Sequence, residues 1–133
     1  MFLHDLPGEL VNTFFNIAYS LIASDGVITE TEKETLSLYA IELHLQEMPE
    51  CNFVELEDVL DKFKGLNKRI KKEIYFELLS LAYVDSVYDE KEKELLRQIA
   101  VAFDIKENEH IEFEGIVCRL LREYNKLGVI LNE

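Results

Sequence analysis

Two short acidic strings hold the residues best suited to chemistry. Asp25-Gly26-Val27-Ile28-Thr29-Glu30-Thr31-Glu32 and Asp85-Ser86-Val87-Tyr88-Asp89-Glu90-Lys91-Glu92 share the pattern Asp-(Gly/Ser)-Val-x-x-Glu-x-Glu. Carboxylates at this spacing can ligate a hard cation, cap a helix or move a proton. Capping accounts for much of the glutamate content. Glu32 and Glu92 stand three residues after Thr29 and Asp89, the spacing at which two side chains satisfy two orphan backbone donors. Glu30 and Glu90 fall in first turns, where the helix dipole favours anions. Asp25 and Asp85 differ, because each falls at the C-terminal end of a predicted helix, where unpaired carbonyls disfavour a carboxylate. Either an Asx-type hydrogen bond closes the turn there, or a cation gathers the aspartate, helix-end carbonyls and the glutamate seven residues on. On the second reading the metal ligands are Asp25, Glu32, Asp85 and Glu92, and an all-oxygen donor set selects Ca²⁺ or Mg²⁺.

The strings are not EF-hands. Asp25, Gly26, Ile28 and Glu32 match later positions of such a loop, but its first two ligand positions would be Leu21 and Ala23, and Leu81 and Tyr83 in the second string. Glu107 and His110 form one Glu-x-x-His, whereas a di-iron bundle needs two such motifs and further glutamates. His4 and His44 lack partners at zinc-ligand spacing. No nucleophile elbow, phosphate-binding glycine loop or Cys/His signature is present, so a non-enzymatic protein is expected. Tyr19, Tyr39, Tyr83 and Tyr88 gather around the turns, where they read as core aromatics or as a pocket lining.

Helices must position these strings. Apolar residues recur at three- and four-residue steps, predicting helices over about 7–24, 29–43, 53–64, 67–84, 89–103 and 108–126, the last followed by Gly128. Period-two alternation never persists, so no sheet is expected. Residues 18–45 align with 78–105 without a gap, and ten of these 28 positions are identical. Chance at ordinary usage would give roughly two. The chain is thus an internal duplication of a helix–acidic turn–helix unit, with copies at about 8–45 and 68–105 and a C-terminal helix at 108–126. The expected architecture is one all-α domain over 1–133, a compact bundle of about six to seven helices.

Composition limits the partners. The chain has 133 residues, 48% of them hydrophobic, enough for a core without staples. Cys51 and Cys118 are isolated, and reduced core thiols are expected in preference to a single disulfide. The stretches around 14–23 and 74–84 are too short and too polar to span a bilayer. The N-terminus lacks a basic region and a long apolar run, so a cytoplasmic location is expected. Net charge is −13, which disfavours nucleic acid. The charge is uneven: residues 62–75 hold six bases, Lys62, Lys64, Lys68, Arg69, Lys71 and Lys72, against one acid. This island either docks an acidic partner or pairs with the protein's own acidic face.

The segments AYSLIASDGVITETEKETLSLYA and LLSLAYVDSVYDEKEKELLRQIA resemble the TerB-like domain of tellurite-resistance proteins, a family related to the N-terminal domain of the membrane-anchored co-chaperone DjlA. Its hallmark, a small apolar helix ending in Asp-Gly-x-(Ile/Val)-(Ser/Thr)-x-x-Glu, is met at Ala23, Asp25, Gly26, Ile28, Thr29 and Glu32. The second copy departs from it with Ser86 and Asp89. The resemblance covers about residues 8–126. It implies an all-helical fold of about seven helices, acidic turns that serve as a metal site, and a role in bacterial stress-response or membrane-associated complexes rather than catalysis. The alternative is a metal-free interaction scaffold, its protein partner being a second copy of the chain or an unidentified protein.

Overall fold

Between Ile74 and Ala82 apolar residues come too densely for one helical face to hold them, which requires a helix surrounded on most sides. In the computed structural model, which describes residues 2–84 and 89–132, this helix is α4, Lys68–Tyr83. The other α-helices are α1 Val11–Ile22, α2 Glu30–Glu42, α3 Leu56–Val59, α5 Glu90–Ala102 and α6 Glu107–Leu131. No strand occurs among the described residues, and the architecture is the expected all-α bundle. Helix α4 packs against α1, α5, α6 and the 3₁₀ turn Leu3–Asp5. Phe14, Phe15, Ile17, Leu21 and Ile22 of α1 meet Ile74, Tyr75, Leu78, Leu79 and Leu81 of α4 in one core. Phe14 sets its ring edge-on to both Phe15 and Tyr39, at 5.8 and 5.5 Å.

Boundaries differ from expectation in three places. The first helix begins as a 3₁₀ turn at Gly8–Leu10 and ends in another at Ala23–Asp25. The third is a single α-turn continued by 3₁₀ geometry over Leu60–Phe63. Helix α6 runs through Gly128 to Leu131, because a glycine ends a helix only where it turns left-handed, and Gly128 does not.

The duplication is visible in backbone detail. Helices α2 and α5 start and end at matching positions, with Thr29 and Asp89 as N-caps. His44 and Asp104, again sixty residues apart, are both left-handed, with φ of 59° and 55°. Each is followed by an N–H that reaches back to the helix, Leu45 to the Ala40 carbonyl at 3.0 Å and Ile105 to Ala100 at 2.8 Å. These are Schellman-type ends built without glycine. Cys51 and Cys118 are free and half-buried.

Polar ties close the bundle. The Phe2 N–H donates to Glu77 Oε1 at 2.9 Å and the Leu3 N–H to Glu42 Oε1 at 3.1 Å, pinning the N-terminal segment. Lys72 of α4 meets Glu109 of α6 at 2.7 Å. That ammonium, with the Lys106 N–H, holds the Glu109 carboxyl down at about 2.

Two outcomes follow from this packing. Replacing His44 by glycine relieves about 1–2 kcal/mol of left-handed strain against about 0.4–1 kcal/mol of added unfolded-state entropy, a net gain of roughly 0.5–1 kcal/mol in denaturant melts, whereas Asp104→Gly gains less because it also removes the pair with Lys68. The depressed Glu109 carboxyl contributes stability above its ordinary range and loses it as pH falls from 4.5 toward about 2. Glu109→Gln should therefore flatten the acid limb of a melting-temperature-against-pH curve while leaving neutral to alkaline melts parallel to wild type.

Candidate metal centre

Helix α1 delivers Asp25 through the 3₁₀ turn Ala23–Asp25, and Gly26 follows with φ of 83°, a conformation cheap only for glycine. Asp25 Oδ1 accepts the Val27 N–H at 2.9 Å, an Asx turn that answers for the carboxylate at the helix end. In the second copy Asp89 Oδ1 accepts the Glu92 N–H at 2.8 Å and caps α5. Because the turn after α1 packs against α5, the aspartate of one copy meets the cap of the other. Asp25, Asp89 and Glu92 each offer a carboxylate oxygen, and these oxygens lie within 4.8 Å of one another. Asp25 is exposed, Asp89 half-buried and Glu92 buried, so the group grades from solvent into the bundle.

Glu32 is placed elsewhere. Its side chain accepts the Thr29 N–H at 2.9 Å, while its own N–H donates to Thr29 Oγ1 at 3.1 Å, a complete capping box. At 3% exposure it belongs to neither acidic group found among the described residues. Asp85 lies outside the described residues. By the sixty-residue repeat, the counterparts of Asp25, Asp89 and Glu92 are Asp85, Thr29 and Glu32, which places a hydroxyl where the other set has a third carboxylate. Asp89, a helix cap by its spacing to Glu92, thus also joins Asp25 and Glu92. The signal for it was this same register, applied across the copies instead of within one.

Tertiary packing makes a second polar cluster that the sequence did not reveal. His110, the histidine of the Glu-x-x-His, lies 2.7 Å from the Tyr75 hydroxyl through Nδ1. Its Nε2 stands 3.4 Å from Glu114, which also accepts the Tyr83 hydroxyl at 2.7 Å. Lys93, Arg97 and Glu107 share the surrounding cavity of about 390 Å³. Burial, with Glu114 and Glu107 nearby, pushes the Tyr75 phenol up to about 12, so it keeps its proton at neutral pH. Only the four-residue spacing of His110 and Glu114 was readable in advance; their meeting with Tyr75 needed the contact between α4 and α6. Of the other tyrosines, Tyr39 is core and donates to the Glu77 carbonyl at 2.8 Å, and Tyr88 lies outside the described residues.

No helix among the described residues is long and apolar enough to cross a membrane. The chain matches no protein-family model, no curated protein and no solved structure.

The raised phenol contributes stability that is complete below pH 10 and lost as pH rises toward about 12. Ultraviolet tyrosinate titration of Tyr75→Phe should therefore show one late-ionising phenol fewer than wild type, buried Tyr39 remaining, and its alkaline melting curve should be flatter than wild type.

Proposed function

We propose that this protein is a non-enzymatic binding module of the TerB-like type that holds a divalent cation between its two acidic turns. The observation that carries the reading is the convergence of Asp25, Asp89 and Glu92 from both copies of the repeat. Three carboxylates this close repel one another, and a cation among them offsets that cost. Carboxylate oxygens bind Ca²⁺ at about 2.3–2.6 Å, so donors on opposite sides of one ion stand up to about 5 Å apart. Oxygens that lie within 4.8 Å of one another fit inside that span. The all-oxygen donor set suits Ca²⁺ or Mg²⁺. Asp25 and Asp89 each commit one oxygen to a backbone N–H, which orients the carboxylate and leaves its second oxygen for the metal. The resemblance carried by Ala23 to Glu32 supports placing this module in a cytoplasmic stress-response or membrane-associated complex. A second reading, a metal-free scaffold that pairs with itself, draws on Leu127, Val129, Ile130 and Leu131, apolar and exposed near the end of α6.

Thermal melts against Ca²⁺, Mg²⁺ and chelator distinguish these readings. Calcium at a hundred times its Kd should stabilise the fold by about 2.7 kcal/mol, a rise on the order of 10 °C. The variant Asp25→Asn with Asp89→Asn keeps both capping oxygens and should melt at or above the chelated wild type, without responding to calcium. An unresponsive wild type, or an equal response in the variant, would sink the cation reading. A concentration-dependent mass by light scattering would then favour the scaffold.

A further inference from the structure

A groove of about 730 Å³ runs between the first half of α4 and the middle of α6. Its walls are apolar: Phe76 and Phe2, stacked edge-to-face at 5.6 Å, face Phe113, Ile116 and Leu120. Lys68, Arg69 and Lys72 stand along the α4 side. They belong to residues 62–75, where six bases stand against one acid, within a protein of net charge −13. Their internal pairs leave donors to spare. Arg69 meets Glu73 through Nε at 3.3 Å, which leaves both terminal nitrogens of a side chain that is 79% exposed. Lys72 spends one bond on Glu109, and Lys68 donates to the Phe103 and Asp104 carbonyls. Glu73, the carboxylate among the lining residues, is buried beside Arg69, with Asp5 and His4 offering ligand atoms within 4.8 Å of it, so the exposed charge of the lining itself is that of Lys68, Arg69 and Lys72.

From this juxtaposition we infer that the groove docks an acidic amphipathic helix of a partner protein, with apolar side chains against Phe76, Phe113 and Ile116 and carboxylates against Arg69 and Lys72. Helices bind apolar grooves through anchors at three- and four-residue steps, and flanking charge sets their orientation and partner choice. Charge also argues for this occupant over two others. An anionic bilayer presents an extended negative surface to the whole acidic molecule, whereas a helix in the groove samples only the local cations. A second copy brings −13 against −13, and the last part of its own α6, with Arg119, Arg122 and Lys126 against Glu123, is the wrong sign for this rim. The groove is independent of the cation site.

Fluorescence polarisation tests this with a labelled peptide carrying leucines at helical three- and four-residue steps and glutamates between them, compared with its lysine counterpart. The glutamate peptide should bind at least about tenfold more tightly, with an affinity that falls as salt rises. Ile116→Asp, at a position 39% exposed, should weaken it about tenfold or more without lowering the melting temperature. Arg69→Gln with Lys72→Gln should remove the preference for glutamate over lysine. Asp25→Asn with Asp89→Asn should bind the peptide like wild type, which separates this result from that of the cation site. Equal binding of the two peptides, or indifference to Ile116→Asp, would overturn the proposal. So would stronger flotation with phosphatidylserine vesicles than peptide binding, or a sedimenting dimer that Ile116→Asp dissociates.

Discussion

Everything in this fold is arranged around the burial of α4. From Glu73 to Ala82 nine of its residues are buried, and a helix apolar on so many sides is stable only when other helices cover it. Helix α1 covers one side with its phenylalanines, α6 another and α5 a third. Two carboxylates are carried inside with it, Glu77 hydrogen-bonded and Glu73 ion-paired without a hydrogen bond. Glu77 accepts the Phe2 N–H and its carbonyl accepts the Tyr39 hydroxyl, while Glu73 pairs with Arg69. Burying these carboxylates without such partners would cost several kcal/mol each. The N-terminal segment is therefore part of the core's polar bookkeeping rather than a loose end.

Covering a central helix with its own duplicate has a consequence for the acidic turns. Each unit is too small to bury its apolar face alone, so the copies pack on each other and a turn of one approaches a helix start of the other. Asp25 then meets Asp89 and Glu92 instead of the glutamate of its own string. Divergence between the copies acts on this arrangement. Asp89 in place of Thr29 adds a carboxylate to one set, and the capping role is preserved either way because aspartate and threonine both accept from the third helical N–H.

The charge distribution follows the same economy. Acids outnumber bases 27 to 14 along the chain, and Lys68, Arg69 and Lys72 at the start of α4 pair with Asp104, Glu73 and Glu109. This accounts for part of the basic island as self-neutralisation. The pairs also lash α4 to α6 and to the end of α5. Beside them the apolar side of α6 continues past the helices that could cover it: α6 has 25 residues against 16 in α4, about 37 Å against 24 Å. Length mismatch alone therefore leaves apolar residues of α6 exposed.

What was legible from the sequence was local and periodic. Apolar spacing announced helices, Thr29 with Glu32 and Asp89 before Glu92 announced where two of them start, and the identities across 18–45 and 78–105 announced the duplication. These depend on residues within a turn or two of each other, or on comparing the chain with itself. Boundaries such as the passage of α6 through Gly128 were not legible, because a glycine stops a helix only if its surroundings favour a left-handed turn. Nor were the groupings of Asp25 with Asp89 and Glu92, of Tyr75 with His110, or of Arg69 and Lys72 with Phe113 and Ile116. Each unites residues at least thirty positions apart. Which of many acidic or aromatic residues become neighbours is decided by how helices of known pattern choose their faces, and that choice belongs to the packed core as a whole.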